Sequence, residues 1–191
     1  MKHSLHTVLT LLFVCASAWG ENVPWQNPQI NEINREPAHA HFIPYTNEAN
    51  ALKQQALPAA QRFAVNPATE RRISLDGTWK FLFSKNNEEC PTDFYKMRYN
   101  TKRWKDIQVP GSWELQGFDS PIYTDVAYPF PANPPHVPND YNPVGAYVRE
   151  FTVPAHWKGM DIFLDFEGVE SAFYCWVNGE LAGYSLSLIH I

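Results

Sequence analysis

Between Val109 and Phe151 the chain reads VPGSWELQGFDSPIYTDVAYPFPANPPHVPNDYNPVGAYVREF, and this stretch limits the fold more than any other. Each proline removes a backbone donor and holds its predecessor in extended geometry, so no helix survives here. A disordered linker is excluded for a different reason. Linkers are poor in aromatics, whereas Trp113, Phe118, Tyr123, Tyr128, Phe130, Tyr141 and Tyr147 supply large rings that fold against one another or against a ligand. The stretch is therefore an ordered surface of long loops, the kind of segment on which ligand contacts sit.

Short alternating segments surround it. In ISLDGTWKFLF, after Arg72, the Asp76-Gly77 pair predicts a tight turn, and Trp79, Phe81 and Phe83 then alternate with Thr78, Lys80 and Leu82. One face of that strand is core. AYVREFTV, from Ala146, sets Tyr147, Phe151 and Val153 against Val148, Glu150 and Thr152, and Pro154 ends it. MDIFLDFEGV alternates more cleanly, with Ile162, Leu164 and Phe166 inward and Phe163, Asp165 and Glu167 outward. SAFYCWVNGELAGY reads as a hairpin in which Asn178-Gly179 provides the positive φ angles of a type I′ turn. Between the first two strands, Trp104 and Ile107 bring a connection back to the sheet at Val109, and Asn47 to Leu57 predicts one short helical turn. Short strands, frequent turn signals and no long helix predict an all-β jelly-roll sandwich.

At 191 residues there is room for one domain plus a tail. The start, MKHSLHTVLTLLFVCASAWG, has a basic Lys2, an apolar run from Val8 to Ala16 and small residues at Ala16, Ala18 and Gly20. That is the layout of a secretory signal over residues 1–20, and the run is too short for a membrane anchor. A periplasmic or secreted location is expected. Residues 21–60 read as an extended arm, broken by Pro24, Pro28, Pro37 and Pro44 and pinned by Trp25, Ile30, Ile33, Phe42 and Tyr45. The sandwich is expected over 61–185. His39 and His41 share one side of the arm, but two histidines without a third ligand are better read as packing than as a metal site. Past the signal, Cys90 and Cys175 remain, and Cys175 fits a strand as a small apolar residue, so no disulfide is expected. A net charge of -5 argues against nucleic-acid binding, which needs a basic patch.

Acid–base hydrolysis commonly uses two carboxyl groups flanking the scissile bond. Glu114, Asp119, Asp125, Glu150, Asp165, Glu167 and Glu170 are candidates, yet their spacing sets no two across a cleft. Glu150, Asp165 and Glu167 read as a solvated strand face. Trp113, Tyr123 and Tyr128 could stack on a ligand ring, though such residues more often pack, and the same holds for His136.

The blocks VPGSWELQGFDSPIYTDVAYPF, NPPHVP and NPVGAYVREF, with WQNPQINEINREPAHAHFIPY and SLDGTWKF upstream and FEGVESAFYCWVNGELAGYS downstream, resemble the sugar-binding domain that opens the β-galactosidases of glycoside hydrolase family 2. The resemblance implies a jelly-roll fold and a role in hydrolysing terminal β-galactosides with retention. It also implies that the acid/base and nucleophilic glutamates lie on a separate barrel, which alone needs about 250 residues, so this chain is expected to be catalytically silent by itself. In YTDVAYPF the matching positions for contact with the galactosyl unit are Asp125 and Val126. Asp125 stands where many relatives have asparagine, and a carboxylate accepts sugar hydroxyls without donating. No cofactor is implied within the chain, while magnesium and sodium belong to the full enzyme, along with a homo-oligomeric state. A stand-alone carbohydrate-binding module and the β-glucuronidase and β-mannosidase members of the same architecture are the alternatives. The terminal LSLIHI departs from the family after GYS, and residues 186–191 are expected to be an artefact of a truncated reading frame.

Overall fold

The computed structural model describes residues 23–40, 42–58, 69–121, 130–133 and 136–186. Two antiparallel three-stranded sheets organise them, with one α-helix, an all-β architecture consistent with a sandwich. The strands are β1 (Glu32–Ile33), β2 (Gly77–Ser84), β3 (Lys105–Val109), β4 (Val144–Val148), β5 (Phe173–Val177) and β6 (Glu180–Ser185). One sheet has the order β3-β2-β4 and the other β1-β6-β5. The signal-like segment and the final LSLIHI apart from Leu186 lie outside the described residues.

The central strand β2 packs on both faces. Register sets Trp79 opposite Ile107 and Phe81 opposite Tyr147, so these residues share one face, as the alternation predicts. Phe81 is fully buried and Ile107 is 1% exposed; burying a side chain of this size contributes about 1.5–3 kcal/mol. On the opposite face Leu82 lies across from Ala146, and both join Cys90 and Trp104 in a second cluster with Phe94, Val144 and Val148. The connection after β2 therefore does more than return the chain. Phe94 touches Trp104 at 6.0 Å and Trp176 of the other sheet at 5.6 Å, and Tyr95 stacks on Trp176 at 5.0 Å. Rings from one loop thus join the two sheets.

The β5–β6 hairpin turns on Asn178 (φ 52) and Gly179 (φ 92), the predicted type I′ signature. A bulge falls between Cys175 and Trp176. Cys175 is half-buried and Cys90 buried; both are free thiols, each pushed up in pKa chiefly by burial.

The arm is stitched to the second sheet. Glu32 and Ile33 pair with Ser185 and Tyr184, the Asn34 amide donates to the Ala182 carbonyl at 2.6 Å, and the Trp25 backbone N–H donates to the Tyr174 hydroxyl at 3.2 Å. Gly183 permits this: a β-carbon there would lie 2.9 Å from the Ile33 carbonyl oxygen. Trp25, Ile30 and Ile33 are half-buried, but Phe42 is 65% exposed and pins nothing. Helix α1 (Glu48–Gln55) is the predicted helical segment, capped by the Asn47 side chain, which accepts from the Asn50 N–H.

Three expectations need correction. Asp76-Gly77 is not a hairpin turn: residues 73–76 form no strand, and Gly77, at φ 117, opens β2 opposite Val109. The strand expected from Ala146 to Val153 begins earlier, at Val144, and stops at Val148, leaving Phe151 and Val153 each 42% exposed. MDIFLDFEGV is no strand, and Ile162, Leu164 and Phe166 are exposed together with Phe163. Alternation sets which side chains share a face, but it supplies no partner for the backbone and no layer to cover that face.

Candidate functional site

The long loop is built up from its roots. On the incoming side β3 ends at Val109, and the Gln116 side chain accepts from the Gln108 N–H at 2.8 Å while donating to the Gln108 carbonyl at 3.0 Å. This reciprocal pair folds the turn Glu114–Gln116 back onto the strand, and Gly117, at φ 83, closes it in the left-handed region that glycine tolerates. The Ser112 hydroxyl donates to Glu114. Trp113 is thereby laid over the sheet, 6.0 Å from the Phe81 ring and 5.9 Å from Phe83. The close approach demands Gly145 beneath it, where a β-carbon would lie 2.5 Å from the indole and 2.7 Å from Phe81. Trp113 is a packing residue; its indole N–H is buried without a hydrogen-bond partner among the described residues.

Incoming and outgoing sides are clamped together. The Tyr141 hydroxyl donates to Asp119, with its two carboxylate oxygens at 2.7 and 2.9 Å, and the bond raises the Tyr141 pKa. The Asn142 N–H donates to the Lys85 carbonyl at 2.9 Å, fixing the outgoing side to the end of β2. Tyr147, packed against the Phe81 and Trp79 rings, is pushed up to about 12, first by burial and second by the charge of Glu114.

Between these roots lie Asp125 and Val126, the candidate sugar contacts, with Tyr123 and Tyr128; all four fall outside the described residues. His41 does too, while His39 stands exposed in contact with Phe42. His136 is exposed. The carboxylates are engaged separately, Asp119 with Tyr141, Glu114 with Ser112 and Glu167 with Arg72 at 3.0 Å. Among the described residues no three His, Cys, Asp or Glu side chains gather as a metal site. The Asp119–Tyr141 clamp escaped the sequence reading. Its partners lie 22 residues apart across irregular chain, where no periodicity links them; the only signal is a polar pair bounding the proline-rich segment.

The sugar binding domain of the glycosyl hydrolases family 2 matches residues 73–187. A protein of Priestia megaterium (strain DSM 319 / IMG 1521) named beta-galactosidase is 41% identical over 163 residues, a match covering 83% of this chain and 15% of that protein. Proteins of the same name from Halalkalibacterium halodurans and Psychromonas ingrahamii are each 38% identical, covering 86% and 84% of this chain and 16% and 14% of their own lengths. The chain thus spans about one seventh of the length of the relatives it matches. Two antiparallel sheets, a loop clamped at its root and a match over most of the chain agree: this chain belongs to glycosyl hydrolase family 2, to whose sugar binding domain its residues 73–187 correspond.

Proposed function

We propose that this chain is the amino-terminal, sugar-binding portion of an exported β-galactosidase that removes terminal β-D-galactose residues with retention of configuration. The observation that carries the reading is the 38–41% identity to proteins named beta-galactosidase over more than four fifths of the chain. In this reading the sandwich takes jelly-roll connectivity, and the acid/base and nucleophilic glutamates come from a barrel domain outside these residues. The domain's own contribution is positioning. Holding one sugar in a reactive orientation replaces an encounter by a preset geometry, and such orientation is worth several kcal/mol of barrier. The Asp119–Tyr141 clamp is in keeping with this role, because it ties together the two sides of the loop between which Asp125 and Val126 fall in sequence. Asp125 would accept hydrogen bonds from galactosyl hydroxyls, and Val126 would pack beside the ring. Magnesium and sodium would be held by the larger enzyme, which would assemble as a homo-oligomer and act in the periplasm or outside the cell.

The test is hydrolysis of nitrophenyl β-galactoside, β-glucuronide and β-mannoside by the longest natural product carrying this chain. Galactoside should be the preferred substrate by a wide margin, and Asp125→Ala should lower kcat/KM on it by about tenfold or more, the loss expected for charge-assisted hydrogen bonds. Preference for either other glycoside, or binding without hydrolysis as in a stand-alone module, would overturn the reading.

A further inference from the structure

A cleft of about 250 Å³ opens where the arm crosses the ends of the long connections, and Trp25, Gln26, Asn87, Glu88, Asn139 and Asn142 line it. It does not include Asp125 or Val126, although Asn139 and Asn142 lie on the outgoing side of the same long loop. Three features define it. Trp25 is half-buried and is the one described tryptophan that makes no ring contact with another described aromatic; Trp79, Trp104, Trp113, Trp157 and Trp176 all do. The side chains of Gln26, Asn87, Glu88, Asn139 and Asn142 make no hydrogen bond to any described residue, and all but Asn142 are exposed, so their donors and acceptors stand open to solvent at the cleft. The frame is nonetheless fixed. Trp25 is tied through its backbone to Tyr174, Asn142 to Lys85, and the Asn86 amide reaches the Asp140 carbonyl at 3.4 Å.

We infer that this cleft is an accessory contact site for a neutral pyranose, separate from the sugar engaged by the Asp125 loop. Four amides supply donors and acceptors together, the pattern that vicinal hydroxyls require, while Glu88 accepts further hydroxyl protons. The Trp25 ring offers an apolar face for the C–H side of a sugar ring. The cleft is smaller than the usual range for drug-sized ligands, so it takes one ring rather than an oligosaccharide. A carboxylate and no cation among these six residues disfavours acidic sugars, whose charge would meet Glu88 with no cation beside it. The inference rests on the sugar-binding reading above and adds a second contact to it, for a unit of the substrate beyond the galactose or for a separate saccharide.

The test is a titration of the ¹⁵N-labelled chain with galactose, lactose and glucuronate, read from the Trp25 indole and the Asn87, Asn139 and Asn142 side-chain amide signals. The two neutral sugars should shift these signals together, and glucuronate should bind several-fold more weakly. Trp25→Ala should weaken binding by about tenfold, the loss of one stacked ring. Should that variant lose its dispersed spectrum, Asn139→Ala with Asn142→Ala serves instead, since it leaves the Asn142 backbone bond to Lys85 intact, and it should weaken binding by a similar factor. Equal binding of glucuronate, variants that bind as the parent does, or no shift at these residues would overturn the inference. Shifts confined to residues 119–141 apart from Asn139 would overturn it too, while leaving the sugar-binding reading standing.

Discussion

Strand β2 and the segment from Asp161 to Phe166 carry the same alternating signal and meet opposite fates. Phe81 in the first is fully buried beneath Trp113, Phe118 and Tyr147, and both neighbouring strands satisfy its backbone. Ile162 and Phe163 in the second are 49% and 67% exposed. Alternation is therefore a statement about direction only. What converts it into stability is a second layer, and for β2 that layer is the aromatic root of the long loop.

The comparison breaks most easily at Phe81. Phe81→Ala should cost about 3–5 kcal/mol in denaturant unfolding, because a ring held on three sides leaves a cavity its neighbours cannot close. Survival with under 1 kcal/mol lost would mean that the plate is not the core. Next comes Gly145→Ala, which drives a methyl into contact with the Trp113 and Phe81 rings and should cost about 1–3 kcal/mol. A quench or shift of tryptophan fluorescence should accompany it, since the indole has to lift.

Alkaline titration sharpens the same point. The Tyr147 phenol is raised from 10.0 to about 12 in the folded chain, so between those values the unfolded state has released a proton that the folded state retains. Stability is thus complete below pH 10 and declines as pH rises towards 12. Discounted for partial exposure, the loss is about 1 kcal/mol. Tyr184, also raised to about 12 by burial, adds to the same window from the other sheet. Tyr147→Phe should flatten the decline but not abolish it, as followed by urea midpoints across that range; an unchanged slope would place the phenol in solvent.

These residues also show where reading the chain succeeds. The Asn178-Gly179 hairpin and the Trp79–Phe81–Phe83 face are legible because each rests on a local rule, a turn dihedral or a period of two. The pairing of Glu32 and Ile33 with β6 is not, since two residues show no period and their partners lie some 150 positions away. Asp76-Gly77 misleads for a related reason: the glycine serves the entry to a strand rather than a turn between two. In the candidate site, Asp125 and Val126 came from resemblance alone, whereas the clamp, the Gly145 seat for Trp113 and the Trp25 cleft arise only from juxtaposition in space.

The smallest effect belongs to the exposed segment, and it is the most informative about what alternation means. Ile162→Ser and Phe163→Ser should each change stability by no more than about 0.5 kcal/mol, because about half or more of each side chain is already in water. Both should raise the solubility of the chain, since adjacent exposed apolar residues favour association. Lys80, whose ion pair with Asp106 at 2.6 Å is 42% and 58% exposed, supplies the yardstick: Lys80→Met should cost about 0.2–1 kcal/mol, the scale of an exposed surface contact. If Ile162→Ser instead cost as much as Gly145→Ala while Phe163→Ser cost nothing, one face of the segment would be covered in solution. The alternation would then have reported a true inward face, and the contrast between the two segments would disappear.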